Sequence, residues 1–259
     1  MIMLYFSGTG NSKYIAELFS QTMDALCHSI EESLDFGTLI EEHEVIGFCY
    51  PVYGSRVPRI LREFVAAHMP SLERKKLIIF CTQVLFSGDG ARAFTDLFPR
   101  DFVQVIYAEH VFMPNNICNL FLLPLESEKK VKAYFTKAEQ KMAGMCQEIK
   151  AGIVKKRGFN PVSRALGLTQ AVFWPFMEKR ARTRVWIGAN CNGCLLCVSL
   201  CPMQNFAPES GKVAAKQNCT VCYRCINNCP QKAISVFLRG KVKTQYKGVL
   251  PLRYLERRI

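Results

Sequence analysis

Between residues 191 and 230 the chain reads CNGCLLCVSLCP, a spacer, and then CTVCYRCINNCP. Each half has the spacing C-x2-C-x2-C-x3-C-P, and Cys219 repeats Cys191 at an offset of 28. Eight thiols at one repeated set of offsets leave few physical readings. Three cysteines spaced two residues apart wrap one cuboidal iron–sulfur cluster, while the fourth is turned away and reaches the cluster of the other run. On that rule Cys191, Cys194, Cys197 and Cys229 hold one 4Fe–4S cluster, and Cys219, Cys222, Cys225 and Cys201 hold the second. Pro202 and Pro230 close each run and keep the fourth cysteine out of a longer helix. Zinc also takes C-x2-C pairs, but it favours two separated pairs, and three evenly spaced thiols with a fourth suit it poorly. A disulfide framework suits them less.

From about residue 188 to residue 236 this stretch resembles the bacterial dicluster ferredoxins. Lys232-Ala233-Ile234, after the last cysteine, is similar to the segment that follows it in that family. The resemblance implies a small α+β domain that carries two 4Fe–4S clusters.

A chain of 259 residues has room for a second, larger domain with its own core. Its opening, MIMLYF, reads as a buried strand rather than a secretion signal, since it has neither a basic lead nor a cleavage site. No apolar run approaches the length of a membrane span. Thirteen cysteines, eight of them needed as thiolates, point to a reducing cytoplasm.

After that strand come Ser7-Gly8-Thr9-Gly10-Asn11-Ser12 and a segment of helical periodicity over 13–25. Strand, hydroxyl- and glycine-rich loop, then helix is an arrangement that cradles a phosphate with amides, hydroxyls and the helix N-terminus. It is neither a Walker A loop nor G-x-G-x-x-G. Ser7, Thr9, Gly10 and Ser12 match every fixed position of [ST]-x-T-G-x-[ST], and the loop resembles the phosphate loop of flavodoxins. That resemblance implies FMN, bound at the loop Ser7, Thr9, Gly10, Asn11 and Ser12 without a contact from Lys13.

Apolar runs at 44–50, 76–81 and 102–107 read as further buried strands, with helical patterns at 57–67, 90–97 and 127–149. Alternation of this kind predicts a doubly wound parallel sheet, with ligands beyond the carboxyl ends of the strands. Pro51, Val52, Tyr53 and Gly54, with Thr82, Gln83 and Gly88, are then the expected flavin neighbours, and the resemblance to flavodoxins implies that Tyr53 stacks on the ring.

The expected fold is thus α/β, a flavodoxin-like doubly wound parallel sheet over 1–152, followed by the dicluster ferredoxin domain over 188–240. Residues 153–187 are the expected connector and 241–259 a basic tail that wraps back. Cys27, Cys49, Cys81, Cys118 and Cys146 stand singly and read as core hydrophobes. His28, His43, His68 and His110 form no ligand spacing; His110 alone falls near the flavin side. The 113–125 stretch reads as a packed excursion or a lid.

The formal charge of +13 falls to about +7 once two oxidised clusters at about −2 each and a flavin phosphate at about −2 are counted. Lys155, Lys156, Arg157, Arg164, Lys179, Arg180, Arg182 and Arg184 face only Glu178, which favours an acidic redox protein such as a ferredoxin as partner. The apolar run 165–177 among them is expected to pack between domains rather than lie on a membrane surface. No nucleic-acid motif accompanies the charge. The whole resembles flavodoxin–ferredoxin fusion proteins of anaerobes. It implies electron transfer between clusters and FMN, or alternatively an FMN-dependent reductase of a small substrate fed by the clusters.

Overall fold

The computed structural model describes residues 1–119, 124–240 and 242–248. The chain forms two compact units that interleave in sequence: Met1–Ser7, Asn11–Met113 and Ala133–Trp174 make the first, and Gly8–Gly10, Pro114–Lys132 and Pro175–Ile259 the second.

The first unit is built on a parallel sheet. Its elements run β1 (Ile2–Tyr5), α1 (Asn11–Met23), β2 (Leu26–Ser29), α2 (Phe36–Glu41), β3 (Val45–Pro51), α3 (Arg59–Ala67), β4 (Lys76–Gln83), β5 (Gln104–Phe112), α4 (Glu128–Lys150), β6 (Lys155–Lys156) and α5 (Pro161–Ala171). The strand order is β2-β1-β3-β4-β5-β6, and all pairings are parallel. The chain moves outward from β1 to β2, then crosses back to β3, so the winding reverses between β1 and β3. Ile2, Met3 and Leu4 of β1, and Leu77 to Cys81 of β4, are fully buried, as central parallel strands covered on both faces must be. Phe19, Phe80 and Tyr107 form an edge-to-face chain through that core.

The four expected strands and the helices at 57–67 and 127–149 are present within a few residues. The segment expected as a helix at 90–97 is instead a 3-10 helix over Arg92–Leu97, with Phe94 and Phe98 amides bonded three residues back. β2 and α2 lie outside the sequence reading. β2 is a sheet edge with Leu26 half exposed, so it lacks the apolar run that marks the central strands.

α6 (Trp174–Thr183), whose first residue belongs to the first unit, leads in the second unit into β7 (Val185–Ile187), α7 (Leu196–Leu200), β8 (Phe206–Glu209), β9 (Lys212–Ala215), α8 (Arg224–Asn228) and β10 (Ile234–Val236). β7 pairs with β10 and β8 with β9, both antiparallel. The offset of 28 carries through the backbone. Positive φ recurs at Gly193 and Val221, at Leu195 and Tyr223, and at Gln204 and Lys232, and α8 begins 28 residues after α7. Two cysteine runs of identical spacing therefore fold as two copies of one turn.

The expected boundary at 152 falls inside the first unit, because Lys155 and Lys156 complete the sheet beside Tyr107 and Ala108. The segment expected as a connector, 153–187, holds β6, α5, α6 and β7. Of the expected tail, residues 242–248 pack on α8: Tyr246 donates its amide to Asn227, and the Gln245 amide group donates to Cys229 and Ile226 carbonyls. Leu120 to Leu123 of the 113–125 stretch, with residues 241 and 249–259 of the tail, lie outside the described residues.

Candidate functional site

The first group of candidates sits where strands of the first unit end. Ser7 and Ser12 are buried, and the Ser12 hydroxyl meets that of Thr82 at 2.7 Å, joining the start of α1 to the end of β4. Val52 donates its amide to the Thr82 carbonyl at 3.0 Å, which brings in the end of β3. The head of α1 and the loops after β3 and β4 therefore converge beside the β1/β3 reversal, as ligand-binding segments of open parallel sheets do. Pro51 closes β3, and Tyr53 and Arg56 exchange backbone bonds in a tight turn through Gly54 at φ +55°.

The ring of Tyr53 lies against Trp174, centroids 5.9 Å apart and tilted by 38°. A side chain at Gly54 would meet that indole at 2.7 Å. Gln83 is buried and accepts a bond from Ser87. Gly88, at φ +65°, lies so close to α5 that a Cβ would stand 2.5 Å from the Gly167 nitrogen. Its place in this fold is a close backbone approach.

Gly8, Thr9 and Gly10 belong to the second unit. Asn116 donates to the Thr9 hydroxyl at 2.6 Å, and the buried guanidinium of Arg224 donates to the Gly8 carbonyl at 3.2 Å and the Leu200 carbonyl at 3.1 Å. A Cβ at Gly8 would stand 2.2 Å from the Cys222 carbonyl oxygen. Gly10 adopts φ +101° with open space around its Cα. Asn116, Trp174 and Arg224 were not among the sequence candidates. Only Arg224 carried a signal: its counterpart at the repeat offset is Leu196, so a base stands where the repeat has an aliphatic chain.

The eight cysteines line two cavities of the second unit. One encloses about 360 Å³, its open mouth included, and is lined by Cys191, Cys194, Cys197, Cys225 and Cys229. The other, about 370 Å³ on the same measure, is lined by Cys201, Cys219, Cys222 and Cys225. The fourth cysteine of each run thus stands in the cavity of the other run. Backbone amides point at sulfurs at matching places: Asn205 to Cys201 at 3.2 Å and Ala233 to Cys229 at 3.3 Å, each four residues on. As a free thiol Cys222 is pushed up to about 12 by burial, which outweighs the opposing pull of Arg224. Among the described residues no three His, Cys, Asp or Glu side chains converge as ligands of a single metal ion. A cuboidal cluster asks for a different arrangement, one thiolate at each of four irons around a cavity.

The isolated cysteines divide. Cys49, Cys81 and Cys146 are buried, while Cys27 and Cys118 are half-buried. His110 lies within β5, where burial drives its pKa down to about 4 and its Nε2 accepts the Ala91 amide at 3.2 Å. It is a neutral packing residue.

Next to it, Glu109 is 3% exposed and ion-paired to Lys141 at 3.2 Å and Lys155 at 3.3 Å. Burial would raise its pKa, but the His110 amide and the two lysines outweigh that and hold the carboxyl low. Lys155 also pairs with Glu148 at 3.1 Å. The expectation that Lys155 belongs to a docking patch is therefore corrected: its ammonium neutralises a buried carboxylate. Lys155→Glu is expected to cost about 3 kcal/mol, the low end for a broken buried pair because the lysine is partly exposed, and to lower Tm by about 6–12 °C. Lys156→Glu, on an exposed neighbour, should stay within about 0.5 kcal/mol. Equal Tm values for the two variants would remove the buried-pair account.

Residues 2–121 match the family model described as Flavodoxin domain. With the parallel sheet and its strand order, this makes the first part of the chain a flavodoxin-like α/β domain. No curated protein matches the chain. Among solved structures, the two-electron reduced flavodoxin of Megasphaera elsdenii is similar at 18% identity over 54% of this chain and 99% of its own, TM-score 0.39. The general stress protein 14 of Treponema denticola, solved in complex with FMN, is 13% identical over 56% of this chain and 96% of its own, TM-score 0.42. An NADPH-quinone reductase of P. pentosaceus is 13% identical over 55% and 98%, TM-score 0.36.

Proposed function

We propose that this chain is an electron-transfer flavo-iron–sulfur protein, with FMN on its flavodoxin-like part and two 4Fe–4S clusters on its cysteine repeat. The observation that carries the reading is the pair of cysteine-lined cavities, each bordered by three thiols of one run and the fourth of the other, with Cys225 lining both. Cys191, Cys194, Cys197 and Cys229 are the proposed ligands of one cluster, and Cys219, Cys222, Cys225 and Cys201 of its twin. Amides aimed at sulfurs, and the positive-φ turns that aim them, suit thiolates that carry a cluster's charge.

For FMN the support is the flavodoxin-domain match and the meeting of Ser12, at the head of α1, with the 51–54 and 82–88 loops beside the β1/β3 reversal. Ser7, Asn11 and Ser12 would offer hydroxyl, amide and backbone N–H groups to the phosphate at the head of α1. When bound, FMN exchanges one or two electrons and each cluster exchanges one, so the combination links two-electron and one-electron chemistry. The proposed partner is an acidic redox protein, drawn by exposed bases such as Arg157, Lys179 and Arg180. We place the protein in a reducing cytoplasm, where eight thiols stay available to iron.

Anaerobic reconstitution of the full chain tests this. About eight iron and eight sulfide per chain are expected, with one FMN released on acid extraction. Stoichiometric zinc in place of iron, or FAD in place of FMN, would overturn the corresponding half of the proposal.

A further inference from the structure

Helix α5 is packed inside out. Asn160 starts it by accepting the Ser163 amide at 2.8 Å, and Pro161 occupies its first turn. Ser163, Gly167 and Ala171, four residues apart, are its buried side. All three are small. Val162, Leu166 and Leu168 are 68%, 43% and 52% exposed, and Val172 and Phe173 just beyond the helix are 70% and 69% exposed. An amphipathic helix ordinarily buries its large apolar chains and leaves small or polar ones outside.

Close packing accounts for the small face. A Cβ at Gly167 would stand 1.7 Å from a carboxylate oxygen of Asp89, a buried residue ion-paired to Arg92 at 2.7 Å. It does not account for the large apolar face that results. That face is extended by Leu85 and Phe86, 62% and 45% exposed, because Gln170 of α5 donates to the Phe86 carbonyl at 3.1 Å.

The stretch of chain that holds α5 carries charge of one sign. From residue 151 to residue 177 there is no Asp or Glu, and Lys156, Arg157 and Arg164 are exposed. Apolar chains standing in water beside bases fit an anionic lipid surface, where the chains enter the headgroup boundary and the bases are drawn to the lipid charge. A second copy of the chain would bring the same bases face to face. Protein interfaces draw their energy from Trp, Tyr and Arg, with Leu and Val under-represented, whereas this face is Leu, Val and Phe. We propose that the exposed face of α5, with Leu85 and Phe86, seats the protein on an anionic bilayer surface without crossing it. Among the described residues no helix is long and apolar enough to cross a membrane.

The test is sedimentation of the reconstituted full chain with vesicles of phosphatidylcholine, alone or mixed with phosphatidylglycerol. Wild type should pellet with the mixed vesicles at low salt and be released at high salt. The double variant Leu166→Glu with Phe173→Glu, at two exposed sites, should keep its iron and flavin content and bind the mixed vesicles about tenfold less or weaker still. Failure of wild type to pellet with anionic vesicles at low salt overturns the proposal, as does equal pelleting of the double variant. A wild-type dimer in solution that the double variant dissolves would assign the face to a second copy and overturn it too.

Discussion

Cys201→Ala is expected to cost the protein the cluster whose other ligands are Cys219, Cys222 and Cys225, while the cluster of Cys191, Cys194 and Cys197 survives. Sequence proximity predicts the opposite, since Cys201 is four residues from Cys197 and eighteen from Cys219. Cys201 ends α7 in extended conformation and lines the cavity of the second run, while Cys229 ends α8 in the same way and lines the cavity of the first. On the proposed ligand assignment, the variant should retain about half of the iron and sulfide after anaerobic reconstitution, and Cys229→Ala should lose the complementary half. Paramagnetic resonance of the reduced protein, where two clusters interact and one does not, shows that one is lost, and comparison with the signals of Cys194→Ala and Cys222→Ala identifies which remains. Selective loss of the first-run cluster in Cys201→Ala would refute the crossover.

Gly8→Ala and Arg224→Leu should each cost about 3 kcal/mol or more, and for related reasons. Gly8 has no need of glycine's freedom in φ, since it is absent from the positive-φ residues; it needs the missing Cβ. An added methyl would stand 2.2 Å from the Cys222 carbonyl oxygen and 3.1 Å from its carbon, both backbone atoms that cannot rotate away. Either the loop or the cysteine run must shift, at a cost at or above the usual 1–3 kcal/mol of overpacking. Arg224→Leu removes the donor of two buried carbonyls, Gly8 and Leu200, at about 1–3 kcal/mol each. Lysine should not restore it, because one ammonium does not reproduce a fork that spans two acceptors. Thermal unfolding of the reconstituted protein should show Tm lowered by roughly 6–12 °C in either variant. A shift under about 2 °C in both would mean that this contact does not hold the second unit together.

How much of this was readable beforehand varies with the kind of residue. Central strands were legible because a strand covered on both faces must be apolar throughout, as IMLY and LIIFC are. The cysteine repeat was legible because ligand spacing is a covalent property of the chain, and the paired turns at Leu195 and Tyr223 follow from it. β2 was not legible: an edge strand with Leu26 outward and His28 half-buried has no apolar run to betray it.

Charge was the poorest guide. Lys155 and Lys156 are adjacent in the sequence, yet one closes on the buried carboxylate of Glu109 and the other stands in solvent, and only the register of β6 against Tyr107 and Ala108 separates them. Helix α5 shows the same limit for apolar residues. Its sequence determined that Val162, Leu166 and Phe173 prefer to leave water. Which side of the helix would be covered was decided by Gly88 and Gly167, whose missing side chains let two backbones touch and turned the large chains outward. Periodicity reports what a side chain prefers, whereas burial depends on how closely the neighbouring backbone can approach.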